Sequence, residues 1–260
     1  MHEQTAGIAG EMQCHVLSHE AASGSANMAL DEALLERVAG GVGTAYLRTY
    51  GWTTPTLSLG YFQRLADVQA EPRFQSVPLV RRLTGGGAIW HHHELTYSLV
   101  IAANHPLARP STGLYQTVHA AIVHALWEVG ISAVRRGEAT RSGHIDKKRP
   151  LLCFTDTDPE DIVTDGVKVV GSAQRRRGGA VLQHGSLLLA CSSRTPELLG
   201  VCDVADESAG KHDWSDRLLT RIPFALGLRR LDAAVPAEAR ARALELQLAR
   251  YENPAWTGLR

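Results

Sequence analysis

Apolar and polar residues recur along the chain with both the helical and the strand period. The segment "SANMALDEALLERVAGG" predicts a helix: Leu30, Ala33, Leu34 and Val38 share one face, Ser25 stands at the N-cap, Asp31 and Glu32 lie in the first half, and Gly40 ends it. A second helix is expected over 112–129, with Tyr115, Val118, Ile122, Leu126 and Val129 in one stripe, Ser111 in front and Gly130 behind. His119 and His124 on it read as surface or packed residues. Strands are expected over 44–50, 56–62, 78–83 and 95–102; in the last, Tyr97, Leu99 and Ile101 alternate with Thr96, Ser98 and Val100. Three more β-like segments follow, "PLLCF", "VKVVGSA" and "AVLQHGSLLLA". The chain closes with a helix opened by Pro236 and carrying Ala241, Leu244, Leu248 and Tyr251. The expected class is mixed α+β in one main domain over 1–260, with residues from about 200 to 260 as a helical C-terminal extension.

Length and composition fit this picture, because 260 residues with 44% hydrophobic content can bury a substantial core. Lys+Arg and Asp+Glu both number 27, so no overall charge draws the chain to nucleic acid or an anionic membrane. The stretch "MHEQTAGIAGEMQ" has neither a basic leader nor a signal-length apolar run, and no segment is apolar for long enough to span a bilayer; a cytoplasmic location is expected. Cys14, Cys153, Cys191 and Cys202 are far apart without a C-x-x-C pair, which argues against a zinc knuckle or a disulfide framework and predicts free thiols. A local basic stretch, 135–149, holds Arg135, Arg136, Arg141, Lys147, Lys148 and Arg149 against only Glu138 and Asp146 and reads as an exposed loop.

The run "LTGGGAIWHHHELTYSLV" concentrates unusual residues. Consecutive side chains on an extended chain point to opposite faces, so His91, His92 and His93 do not converge on one ion, and no metal site is expected. Neither G-x-x-x-x-G-K-[ST] nor G-x-G-x-x-G is present there, so nucleotide binding is not indicated. Three glycines offer a backbone without Cβ atoms, and two readings stay open: a tight turn between strands, or a wall lying against a ligand.

Four segments in order, "NMALDEALL", "YGWTTPTLSLGYFQ", "RRLTGGGAIWHHHELTYSL" and "GVKVVGSAQRRRGGAVLQHGSLLL", resemble the superfamily of lipoate protein ligases, biotin protein ligases and lipoyl-pathway octanoyltransferases over residues 25 to 190. The resemblance implies a central, largely antiparallel sheet flanked by helices, related to the core of class II aminoacyl-tRNA synthetases. It also implies a narrow tunnel for a medium-chain acyl group, lined by the glycine-rich turn, with Lys168 reaching the carbonyl end. On the matching motifs it places substrate-binding positions at Arg81, Gly85, Gly86, Gly87, His91, Tyr97, Gly171, Ser172, Ala173, His184 and Gly185. Arg81 with the glycine turn would hold a carrier's pantetheine arm or, in a ligase, an adenylate phosphate.

The superfamily contains ATP-dependent ligases and ATP-independent transferases on one scaffold. Cys153 in "LLCF", fifteen residues before Lys168, resembles the cysteine-dependent octanoyltransferases, where the cysteine carries the acyl group and the lysine favours its thiolate. Thioester exchange is nearly balanced and aminolysis is downhill, so no cofactor is implied; ATP and Mg enter only under the ligase alternative. An inert packed cysteine fits the composition of "PLLCF" as well, whereas Cys14, Cys191 and Cys202 read as structural. Lys168, between Val167 and Val169, should face a site or solvent.

The resemblance implies an octanoyl-acyl carrier protein as donor and a lysine of a lipoyl domain or glycine-cleavage carrier protein as acceptor. The basic stretch and "QRRRGG" are candidates for steering such acidic partners, or are merely a solvated face. Ligases usually carry His-Asp followed by "GNLN" where this chain has "HHHELTYS", which favours the transferase reading. In the other direction, the acidic "TDTDPEDI" after Cys153 departs from the aromatic and proline-containing loop of those enzymes and opposes thiolate formation. The alternatives to octanoyl transfer are an ATP-dependent lipoate-protein ligase and a non-catalytic member that binds an acyl or biotinyl group.

Overall fold

The computed structural model describes residues 12–42, 45–110, 112–139 and 150–260. The N-terminal stretch through residue 11, Ser111, Arg141, Asp146, Lys147, Lys148 and Arg149 lie outside the described residues.

Alternation builds most of the structure. The strands are β1 (Gln13–Ala22), β2 (Ala45–Trp52), β3 (Thr56–Leu59), β4 (Leu79–Arg81), β5 (Ile89–His91), β6 (Glu94–Ala102), β7 (Val134–Arg135), β8 (Ile162–Thr164), β9 (Val167–Arg177), β10 (Ala180–Leu188) and β11 (Arg229–Ala233). One sheet runs in the order β11-β1-β2-β6-β10-β9-β8-β7, and a small sheet runs β4-β3-β5. In the large sheet only the β11/β1 and β1/β2 pairs are parallel; the others are antiparallel. The chain is therefore mixed α+β, as its pattern predicted, with the largely antiparallel sheet that the resemblance implied.

Four helices of ten or more residues flank this sheet: α1 (Gly24–Ala39), α2 (Gly113–Trp127), α3 (Trp214–Ala225) and α4 (Ala237–Leu246). Successive strand residues serve opposite cores. Leu47, Leu99, Ile101 and Val181 pack with Val118 and Ile122 of α2 and Leu218 and Ile222 of α3. Their neighbours Tyr46, Val100 and Leu182 pack with Leu34, Leu35 and Val38 of α1 and Ala239 of α4.

Several expectations are corrected. The N-cap of α1 is Ser23, whose hydroxyl accepts from Ala26 N–H as the chain leaves β1 in an extended conformation; Ser25 is already helical. "PLLCF" is not a strand. Leu152 makes one parallel bridge with Ala88, and its carbonyl then accepts from both the backbone N–H and the hydroxyl of Thr155, closing a 3₁₀ turn over Cys153–Thr155. The C-terminal region is not purely helical, since β11 extends the sheet beside β1. Nor does its helix bury the expected stripe. Ala239, Leu246 and Tyr251 are buried, while Leu244 and Leu248 are 57% and 61% exposed. A wider turn over Gln247–Tyr251, with Glu252 N–H donating to Gln247 C=O, shifts the phase that a regular helix would keep.

Candidate active site

Where β9 and β10 run side by side, Gly171, Ser172 and Ala173 face Ser186, Gly185 and His184 across the ladder. This patch forms one wall of a narrow, tightly packed pocket. Met28 from α1, Tyr50 and Trp52 from β2, and Ile89 from β5 supply its other sides. Gly185 has to be glycine, because a Cβ would lie 2.3 Å from the Ser172 hydroxyl and 2.8 Å from the Tyr97 ring.

The polar groups of the pocket are braced from behind. His91 stacks on Trp52 with ring centroids 3.8 Å apart, bonds Ser58 through Nε2 at 2.8 Å and donates from Nδ1 to Glu94 at 3.2 Å. Burial holds its pKa below the usual histidine value against the pull of Glu94. His184 bonds Thr84 at 2.6 Å and donates to Asp31 at 3.1 Å. Asp31 also receives Arg48 at 2.7 Å and the Tyr50 hydroxyl at 3.0 Å. Burial alone would raise the Asp31 pKa, but Arg48 and His184 outweigh it and bring the group to about 2. The "NMALDEALL" motif is thus the helix that carries this carboxylate.

Cys153 stands where the pocket meets an open groove. It lines both, as do Ser172 and Ala173. The glycine turn holds it there. Gly86 adopts φ +90°, and a Cβ on Gly87 would lie 2.7 Å from the Cys153 nitrogen and 3.0 Å from the Leu151 carbonyl oxygen. Of the two readings of the triple glycine, the close-approach geometry is therefore present, with the backbone of the cysteine turn as the neighbour. Gly85 and Gly86 border the outer groove.

Lys168 reaches the cysteine turn. Its ammonium donates to the carbonyls of Cys153 at 2.9 Å and Asp156 at 3.3 Å and pairs with Asp161 at 2.9 Å. All three N–H bonds are used, so the group serves as a fixed cation. Asp161 belongs to the acidic loop, and its pairing with Lys168 offsets part of the like-charge repulsion that the sequence suggested. Asp156, Asp158 and Glu160 remain along the groove.

Arg81 is corrected. It does not line the pocket; it is fully buried, and its guanidinium donates to the carbonyls of Gly60, Tyr61, Gln63, Trp256 and Thr257. Its neighbour Arg82 reaches the site instead. One side of that guanidinium holds Ser58, the other donates to Gly85 and Gly87 C=O at 2.8 and 2.6 Å, and Cys153 lies within its electrostatic reach. Burial brings the Arg82 pKa down to about 10, with Cys153 pulling the other way. Tyr97 sits behind the wall, its ring against Gly185 and its hydroxyl 2.6 Å from that of Ser172.

In the sequence His119 reads as a surface or packed residue with no part in the site. It is buried, with Nε2 2.6 Å from the Ser172 hydroxyl and Nδ1 on the Glu160 carbonyl, and it borders the groove. Its position in the α2 stripe, four residues after Tyr115 and three before Ile122, was the available signal. His92 and His93 stack on each other at 3.6 Å, away from His91.

The "QRRRGG" arginines are largely engaged within the molecule: Arg176 bonds the Ala108 and Pro110 carbonyls, Arg177 pairs with Glu32 and Arg175 lies over Tyr61. Arg135 pairs with Glu138 and Glu160. The four cysteines are free thiols, and burial pushes Cys14 up to about 12. Among the described residues no helix is long and apolar enough to cross a membrane.

Fold and site together define an α+β enzyme of the acyl-transfer class. The chain belongs to the lipoyl protein ligase A/B catalytic domain family, which matches residues 23–210. It is 36% identical over 206 residues to the octanoyltransferase LipM of Lysinibacillus sphaericus, covering 77% of this chain and 72% of that protein. It is 38% identical over 230 residues to the octanoyltransferase LipM of Moorella thermoacetica, covering 84% and 80%. Against the same-named protein of Anoxybacillus flavithermus the match is 40% over 169 residues, and spans only 60% of that protein's length. The bi-partite lipoate protein ligase of Thermoplasma acidophilum superposes with a TM-score of 0.69 at 20% identity, covering 96% of this chain and 98% of that one, which establishes the shared fold.

Proposed function

We propose that this acyltransferase takes an octanoyl group from the thioester of an acyl carrier protein onto Cys153 and passes it to a lysine of a lipoyl domain or glycine-cleavage carrier protein, in lipoate biosynthesis and without ATP. The observation that carries this reading is the place of Cys153 at the junction of the narrow pocket and the open groove. The acyl chain lies in the pocket between Met28, Trp52 and Ile89, and the carrier arm and later the acceptor lysine come through the groove.

Cys153 attacks the carbonyl carbon as thiolate, and the pantetheine thiol leaves. Arg82, through the Gly85 and Gly87 carbonyls, and Lys168, through the Asp156 carbonyl, bracket the cysteine turn with two cations. Lys168 also fixes the turn through the Cys153 carbonyl. The lysine amine then attacks the acyl-cysteine, and the amide forms as the thiolate departs.

Incubation with octanoyl carrier protein followed by intact-mass measurement tests the reading. The chain should gain one octanoyl unit, and Cys153→Ala should fold, gain none and transfer none. Turnover by that variant, or modification that requires ATP and free lipoate in place of the octanoyl carrier, sinks it.

A further inference from the structure

Aminolysis of an acyl-cysteine has a requirement that thioester exchange lacks: the attacking nitrogen must lose a proton. The net movement is one proton from nitrogen to sulfur. Lys168 cannot accept it, because its three N–H groups are committed to Cys153, Asp156 and Asp161 and an ammonium has no lone pair. His91 and His184 line the inner pocket, where the acyl chain lies, and of the histidines only His119 borders the outer groove among its described residues.

The hydrogen bonds around His119 have a fixed direction. The Glu160 carbonyl can only accept, so Nδ1 carries the hydrogen there. Nε2 of the neutral ring is then an acceptor, and the Ser172 hydroxyl donates to it at 2.6 Å. With its own hydrogen so placed, Ser172 Oγ accepts from the Tyr97 hydroxyl at 2.6 Å, and Tyr97 in turn accepts from Gln183 at 3.0 Å, whose carbonyl oxygen receives Gln174 at 2.8 Å. The chain of donors runs one way and ends on a lone pair. Ser172 is the member that lines both pocket and groove beside Cys153. Tyr115, edge-on to His119 at 6.0 Å, lines the same groove as Cys153, which places this part of α2 along the approach to the nucleophile.

We infer that Ser172 and His119 form a proton relay for the second half-reaction, receiving the proton shed by the acceptor amine; this rests on the octanoyl-cysteine reading above. The amine lone pair forms the C–N bond while the carbonyl π pair moves to oxygen. The Ser172 hydroxyl takes the N–H proton as it gives its own to His119 Nε2. The oxyanion pair then re-forms the C=O bond as the C–S bond breaks with its electron pair on Cys153 Sγ, and the proton returns through Ser172 to that sulfur, leaving amide, thiol and neutral imidazole. Ser172 meets the substrate; His119 acts through it. Burial holds the His119 pKa at about 4, against Glu160 and Asp158 and with Lys168, so its lone pair is free at neutral pH.

The test separates the two half-reactions. His119→Gln keeps an oxygen to accept from Ser172 but cannot take a proton. Its octanoyl-enzyme should form from octanoyl carrier protein at a rate within about threefold of wild type, and should return the acyl group to the carrier thiol as readily. Discharge to an apo-lipoyl domain should slow by about 100-fold, the usual scale for loss of general base catalysis. Ser172→Ala serves as the second variant, with discharge to the lysine slowed by more than acylation is, and thermal unfolding confirms that both fold. Discharge to the lysine at the wild-type rate overturns the relay, and so does equal slowing of thiol exchange and amine transfer, which marks a structural role. If the wild-type enzyme never gains an octanoyl group, the covalent reading itself fails and the relay falls with it.

Discussion

Asp31 and His119 are both buried, and each stays in one protonation state for a different reason. Asp31 remains ionised because Arg48 and His184 outweigh the cost of burial, and its pKa falls to about 2. His119 remains neutral because nothing outweighs that cost, and its pKa falls to about 4. Both values lie below those of the unfolded chain, so both contributions are complete at neutral pH and are lost on acidification. For His119 the unfolded chain gains its proton first as pH drops from 6.5 towards 4, a loss of about 3 kcal/mol at one pKa unit per 1.4 kcal/mol. For Asp31 the loss, about 2 kcal/mol, falls between pH 4 and 2. The unfolding midpoint should therefore decline in two stages, and His119→Gln should flatten the upper one. Calorimetry across this range checks it; a midpoint unchanged between pH 6.5 and 4.5 would contradict the buried neutral ring.

At the scale of elements, Arg81 joins three parts of the chain: the end of β4, the turn at 60–63 and the C-terminal turn at Trp256 and Thr257. Trp256 answers by donating from its indole to Arg81 C=O at 2.9 Å. A lysine cannot span these carbonyls, since its donors radiate from one atom. Arg81→Lys should cost about 2 kcal/mol or more of stability, given the worth of hydrogen bonds to a charged group, while the folded enzyme keeps its KM for octanoyl carrier protein. A raised KM with an unshifted unfolding temperature would return Arg81 to the substrate site. This residue also marks the limit of sequence reading. Arg81 and Arg82 are chemically identical neighbours, and a one-residue step decides which faces the pocket. β2, β6, β9, β10, α1 and α2 were legible because a sustained alternation or helical period overdetermines them, whereas β1 was not expected, its second half being polar and exposed. "PLLCF" was not, since a short apolar run has no period and its hydrogen bonds go to Ala88. The α4 stripe failed because the helix buries the phase of Ala239 and Leu246, and the wider turn at Gln247–Tyr251 then brings Tyr251 inward out of that period. Cys153, His184 and the 171–173 wall were legible through their motifs, whereas Asp31 was read only as a helix acid and its part in the site comes from residues more than a dozen positions away.

Across the whole molecule, the large sheet divides the work. The face covered by α1 holds the narrow pocket, with Met28, Tyr50, Thr96 and Ser186 in its walls. The groove at the β9 edge is bordered by α2 and the acidic loop. Cys153 is shared between them and opens outward to that groove. On the proposed reading, donor and acceptor both reach Cys153 through this groove, which then serves the two in turn. Release of the emptied carrier must then precede productive entry of the acceptor. This geometry predicts ping-pong kinetics: double-reciprocal plots against octanoyl carrier protein at several acceptor concentrations should be parallel. It also predicts that unacylated acceptor competes with the donor at high concentration, because both seek the free enzyme's groove. Intersecting lines, together with a stable complex of enzyme, carrier and lipoyl domain, would require a second entrance to Cys153 and would overturn the single-mouth arrangement.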